Sequence, residues 1–160
     1  MTMWRRDEQL RNRVQEKKHW CMLGNTDDTY IKCWSAYIDD MLSSNHVSDA
    51  AVYDTQGTLL ATSRETFGLL QQELEHLLRG LRDSKYAYDN GICVNGRRYR
   101  VHLADGRCGI MGKQGMPATG CSVGKTATLV IVATHSETMQ PEVCNEVVMC
   151  LRDFLVCKDL

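Results

Sequence analysis

"TGCSVGKTATLVIVATH", residues 119–135, can be read in two ways, and the choice decides the fold. As a phosphate-gripping loop entering a helix it would place the chain among parallel α/β nucleotide-binding proteins. As the joint between two strands it would place it among antiparallel sheets. The phosphate loop needs G-x-x-x-x-G-K-[ST], with four residues between the glycines so that the backbone closes around the anion. Here only three residues lie between Gly120 and Gly124, and Thr119 stands where the first glycine should be. Such a loop also leads into a helix whose N-terminus faces the phosphate. Residues 126–134 are instead rich in Thr, Val, Leu and Ile and predict a nearly continuous apolar strand, central in its sheet. The nucleotide-binding reading is set aside.

Upstream, "GICVNGRRYRVHLAD" (91–105) holds Asn-Gly between two strand-like runs, a strong short-range hairpin signal because both central residues must accept positive φ. "RCGIMGKQG" and "GCSV" predict further strands with Gly-rich turns. "DAAVYDTQGTLLATS" (49–63) predicts another hairpin. Helical spacing appears three times: Trp34, Tyr37, Ile38 and Met41; then Phe67 to Leu81 within residues 65–81; then Val143, Val147, Leu151, Phe154 and Leu155 behind Pro141, a residue suited to a first helical turn. The pattern predicts an α+β domain: a central antiparallel β-sheet carrying helices from both chain ends.

The 160 residues suffice for one domain with a real core, and 43% hydrophobic with 24% charged residues is ordinary for a soluble globular protein. No apolar run is long enough to span a membrane. The N-terminus lacks the apolar region of a secretory signal, so a cytoplasmic location and free thiols are expected for the eight cysteines. No C-x-x-C pair occurs, and no metal site or cofactor is expected. Residues 4–20 are helix-forming with a thin apolar stripe, and 23–29 read as a polar linker. Residues 1–32 are therefore expected to form an N-terminal extension, mobile or loosely helical, ahead of a domain at 33–160.

Charge is uneven. Residues 33–96 carry net −5, residues 97–125 net +5 through Arg97, Arg98, Arg100, Arg107, Lys113 and Lys125 against Asp105, and residues 126–160 net −3. The basic segment suits an acidic partner, whether protein, phosphoinositide or nucleic acid; equally, strands can simply carry solvated arginines. Metalloprotease, nucleophile-elbow and dinucleotide motifs are absent, the five histidines are scattered, and Asp39-Asp40 point about 100° apart on a helix. A binding module is expected; a small enzyme with a site assembled from distant residues is the reading from another class.

Several segments, in order, resemble the profilin family: "WSAYIDDML", "DAAVYDTQGTLLATS", "GICVNGRRYRVH", "GIMGKQG", and "VGKTATLVIVATHSETMQPEVCNEVVMCLRDFL", together covering residues 33–160. The resemblance implies N- and C-terminal helices packed together on one sheet face and a further helix on the other. It places Lys125 as an exposed base between antiparallel strands. It also implies two binding surfaces. One takes proline-rich proteins, whose polyproline helix presents flat apolar rings to aromatic faces; the matching positions are Trp34, Tyr37, Leu151 and Phe154. The other takes monomeric actin, at Arg98, Val101, Lys113, Lys125, Asn145 and Glu146. The same basic segment, Arg97, Arg98, Arg100, Lys113 and Lys125, would meet phosphoinositide lipids; nucleic acid is not expected.

Some positions depart from the family pattern. Leu60 sits where a tryptophan is usual and Phe154 where a tyrosine is common, which should weaken proline binding. Gln114 and Gly124 replace common lysines, and Glu137 and Glu142 add acid nearby, which should slow association with actin. The implied function is a cytoplasmic, cytoskeletal regulator of actin polymerisation. The alternative is a divergent member that binds phosphoinositides or proline-rich partners with little affinity for actin.

Overall fold

A computed structural model describes residues 27–160. The element order is α1 (Asp27–Leu42), β1 (Asp49–Asp54), β2 (Leu59–Thr62), α2 (Gln71–Arg82), α3 (Ser84–Asn90), β3 (Ile92–Val94), β4 (Arg97–Ala104), β5 (Gly109–Gln114), β6 (Thr119–Lys125), β7 (Leu129–His135) and α4 (Pro141–Val156). The strands form one seven-stranded antiparallel sheet in the order β2-β1-β7-β6-β5-β4-β3.

The turns do what their residues dictate. Asn95 and Gly96 take φ of 53° and 78°, the left-handed pair that a two-residue hairpin requires. Asp54 Oδ1 accepts from the backbone N–H of Gln56 and Thr58 and so folds the β1–β2 turn. Residues 119–125 and 129–135 are neighbouring antiparallel strands, with Gly124 paired to Ile131 and Lys125 to Val130. Thr126 Oγ1 accepts from the backbone N–H of Thr128 and Leu129, closing the joint.

Strand alternation makes two apolar faces. On one, Ala50, Val52, Ile131 and Ala133 meet Trp34, Tyr37, Ile38 and Met41 of α1 and Val147, Val148, Leu151 and Leu155 of α4. On the other, Ala51, Tyr53, Cys121, Val123, Val130 and Val132 meet Leu74, Leu77 and Leu81 of α2 and Ala87 of α3. The terminal helices thus share one face, and α2 with α3 take the other. Each fully buried leucine or isoleucine contributes about 1.5–3 kcal/mol.

The structure corrects three boundaries. α1 starts at Asp27, so the stretch expected to be a linker through Thr29 is helical at its end. The rest of the expected extension, residues 1–26, lies outside the described residues. α2 begins at Gln71 instead of 65, because Glu73 Oε1 accepts from the Leu70 N–H and fixes the helix start there. Phe67 is buried from the preceding loop, although its spacing suggests a helix position. α3, a short helix that the periodicity does not reveal, starts where the Asp83 side chain accepts from Tyr86 N–H.

Candidate functional site

The terminal helices bring three rings together. Trp34 and Tyr37 stand one turn apart on α1, with ring centroids 5.6 Å apart in an edge-on contact, and Tyr37 meets Phe154 of α4 at 6.4 Å. Leu151 belongs to the same cluster, with Leu60 and Leu160 packed against it. All four residues expected to take proline-rich ligands are therefore brought together. They are also largely enclosed: Trp34 and Phe154 are 8% exposed, Tyr37 2% and Leu151 1%. Burial, with the Asp40 carboxylate adding to it, pushes the Tyr37 phenol well above its ordinary range, so it stays neutral. Lys158 Nζ lies 5.7 Å from the Phe154 ring centroid, at the outer limit of a cation–π contact.

The second surface lies where α4 crosses the sheet. Gly109 and Gly124 are paired on β5 and β6, and α4 lies directly over them. A Cβ on Gly124 would meet Val148 Cγ1 at 3.1 Å and Arg152 Cβ at 3.3 Å; one on Gly109 would strike the Met149 methyl. From α4, Asn145 Oδ1 accepts from the buried Ser122 Oγ at 2.7 Å. That bond fixes the amide and leaves its N–H groups directed away from the serine. Glu146 is half-buried beside it. On the adjoining strands Arg100 and Lys113 are cross-strand partners, and Arg98 lies two residues before Arg100 on the same face. Arg98, Arg100 and Lys113 line one open cleft of about 780 Å³ with Tyr88 and Met116. Arg98 Nη2 donates to the Asn90 carbonyl at its edge.

His102 continues this face. Its pKa is lowered, first by burial and then by the charges of Lys113 and Arg100, with His135 adding to them and Glu142 opposing. A neutral imidazole here accepts or donates without adding to the positive charge of the patch. Sequence reasoning passed over His102 and Ser122; the alternation of "RRYRVH" carried the signal for the first.

Three expected positions do not join this surface. Val101 is buried among the apolar side chains under α2 and α3, because it alternates with Arg100 and points through the sheet the other way. Arg97 shares that orientation and lies beside Tyr99, so it is separated from Arg98, Arg100 and Lys113. Lys125 has the parity of Cys121 and Val123, and it sits at the opposite end of the β5–β6 ladder from Lys113. It is half-buried rather than exposed, with Nζ donating to the Thr126 carbonyl at 2.9 Å. Arg152, a residue the sequence did not single out, donates Nε to the Lys125 carbonyl and holds α4 to this joint. Among the described residues, no three His, Cys, Asp or Glu side chains are grouped so as to hold a metal, and no helix is long and apolar enough to cross a membrane.

Comparison with known proteins agrees with this architecture. The profile of the profilin family matches residues 32–160. Profilin II of Acanthamoeba castellanii superposes with a TM-score of 0.72 at 26% identity, over 79% of this chain and 99% of its own. A Schizosaccharomyces pombe profilin does so at 0.72 and 27%, over 79% and 99%. Mouse profilin IIa, solved in complex with a double repeat from the FH1 domain of mDia1, shares the fold at 0.68 and 16% identity, over 79% and 99%.

Proposed function

The chain belongs to the profilin family, and from that premise we propose that it binds monomeric actin on the face made by α4, β4 and β5 and so regulates actin polymerisation. Proline-rich proteins are its second class of ligand, at the cluster of Trp34, Tyr37, Leu151 and Phe154. The observation that carries the actin reading is the union on one face of Arg98, Arg100 and Lys113 with Asn145, whose amide is set by Ser122. Residues 33–160 are the binding domain and residues 1–32 an extension to it. The reading involves no cofactor and no covalent chemistry. A protein holding both ligands raises the local concentration of actin near a proline-rich assembly factor. Such a role belongs in the cytoplasm.

Positive charge at Arg98, Arg100 and Lys113 steers an acidic partner mainly by speeding association, and the effect is screened within about 8 Å at physiological salt. Glu146 joins as a neighbour of Asn145. Val101 and Lys125 serve the fold in this account, since one is core and the other is tied to the β6–β7 joint. Proline-rich ligands are expected to bind weakly: little ring surface is open, and each stacked aromatic contributes only about 0.5–1.5 kcal/mol beyond burial. Proline-peptide titration followed by calorimetry tests that part.

The second reading, phosphoinositide binding with little actin affinity, draws on the open basic cleft. Asp89 at its rim is already paired with Lys85, 2.6 Å away, so the cleft keeps a net positive charge. Suppression of spontaneous actin assembly, measured beside co-sedimentation with phosphoinositide vesicles, separates the readings. Dose-dependent suppression supports the first. Vesicle binding without suppression replaces it with the second.

A further inference from the structure

At one end of the sheet, on the face that α2 and α3 cover elsewhere, the inward positions turn polar. Asp49 opens β1, Thr134 lies opposite it on β7, Thr119 opens β6 and Arg97 opens β4. Two residues further along or back on the same strands, these positions are Ala51, Val132, Cys121 and Tyr99, all in the apolar cluster. The polar row floors a cleft of about 280 Å³, walled by the loop of Arg64 and Phe67 and by the β3–β4 hairpin; no residue of α2 or α3 lines it.

Its charges do not cancel. Asp49 is saturated: Oδ1 accepts from Ser63 Oγ and Arg64 Nε, and Oδ2 lies 2.9 Å from Arg64 Nη2. Arg97 has no carboxylate partner among the described residues. It lies beside the Tyr99 hydroxyl, whose pKa burial raises and Arg97 opposes. Asn95 accepts through Oδ1 from the Gly68 N–H, so its amide N–H groups are left to donate. The walls are tied in place: Glu73 Oε2 accepts from Gly96 N–H, and the Tyr53 hydroxyl accepts from Leu69 N–H. A ligand entering would order little that is not already ordered.

We propose that this cleft is a binding site for a phosphate group, free or carried as a monoester. The Arg97 guanidinium presents a planar fork that matches two phosphate oxygens, and Asn95 and Thr134 supply donors for the remaining acceptors. A carboxylate would leave part of that donor set unused. The volume admits a phosphate with a short organic arm. The site lies on the opposite face of the sheet from the aromatic cluster, and on the other side of β4 from Arg98 and Arg100. It does not depend on the actin or proline readings. Free phosphate and a phosphorylated serine side chain are the two sources of this chemistry.

Amide spectra of the full chain test the proposal, with inorganic phosphate in one arm and O-phosphoserine in the other, at low ionic strength. The expected result is saturating shifts at Asn95, Gly96, Thr119 and Thr134 with a Kd of about 1 mM or tighter, which corresponds to roughly −4 kcal/mol. Arg97→Gln should weaken binding at least about tenfold. Thr134→Val, which keeps the strand shape, should weaken it a few fold, and Arg82→Gln, an equal loss of charge on α2, should not. Tighter binding of O-phosphoserine identifies an ester as the ligand; equal binding identifies free phosphate. No saturation by about 20 mM, shifts centred on Arg98, Arg100 and Lys113, or wild-type binding by folded Arg97→Gln and Thr134→Val proteins would each overturn it.

Discussion

Replacing Gly124 separates a packing requirement from a missing charge. The family pattern favours lysine near this point, which makes glycine look like a lost contact with actin. The geometry says otherwise: a Cβ here would lie 3.1 Å from Val148 Cγ1 and 3.3 Å and 3.5 Å from Arg152 Cβ and Cγ. Contacts that short force α4 to give by a few tenths of an ångström, and overpacking of this kind costs about 1–3 kcal/mol. Alanine also stiffens the unfolded chain, which returns about 0.4–1 kcal/mol. Gly124→Ala should therefore lose about 1–2 kcal/mol, read as a lower urea midpoint at unchanged m, with Tm down by about 2–8 °C. Gly124→Lys should lose more, because its longer stem must pass beneath or displace α4. That displacement moves Asn145 away from Ser122, so suppression of actin assembly should fall although a positive charge has been added. A Gly124→Lys protein as stable as the parent and a stronger suppressor would refute the reasoning.

Other expectations follow from single contacts. Ser122→Ala leaves the Asn145 carbonyl oxygen without its partner and should cost about 1–3 kcal/mol, while weakening actin binding more than stability alone predicts; thermal melts and an actin titration on the same sample check both. Phe154→Ala opens a cavity in the terminal-helix cluster and should cost about 3–5 kcal/mol, so loss of proline binding in that variant has to be read beside its melting curve. His102 has a folded pKa below its unfolded value, which disfavours the charged form: its contribution is present above about pH 6.5 and is lost as pH falls through the folded pKa. His102→Gln should flatten the stability profile in that acid range. At Asp105, burial raises the pKa but is outweighed by the backbone N–H groups of Arg107, Cys108 and Gly109, leaving a depressed value. Its stabilisation is present above about pH 4 and lost as pH drops further, and Asp105→Asn should remove that dependence from acid-unfolding curves.

Much of the fold was legible because the decisive signals are local. Asn95-Gly96 specifies its hairpin through backbone conformation alone, Pro141 marks the start of α4, and the 34/37/38/41 spacing names the buried face of α1. The misses occur where a local cap or a short length overrides the hydrophobic period. Phe67 keeps helical spacing with Leu70 and Leu74, yet the Glu73 carboxylate ends the helix at Leu70, and Phe67 reaches the core from a loop. α3 is too short, at seven residues, for a period to register. The site was legible as a set of residues and less so as a surface. Neither charge summed over 97–125 nor position-by-position matching to a family pattern distinguishes inward from outward strand positions, so Arg97, Val101 and Lys125 fall in groups with residues that point through the opposite face. Alternation along "RRYRVH" contains that division. The enclosure of Trp34 and Phe154 is a property of two distant helices meeting, which no local pattern reports.

The most direct measurement is the affinity for labelled monomeric actin at physiological salt, for the parent chain, an Arg100→Glu/Lys113→Glu variant and a Lys125→Glu variant, each first shown to be folded. The account predicts that the double reversal weakens binding at least about tenfold, whereas Lys125→Glu stays close to the parent. No binding by the parent at tens of micromolar, or a loss confined to Lys125→Glu, would contradict it.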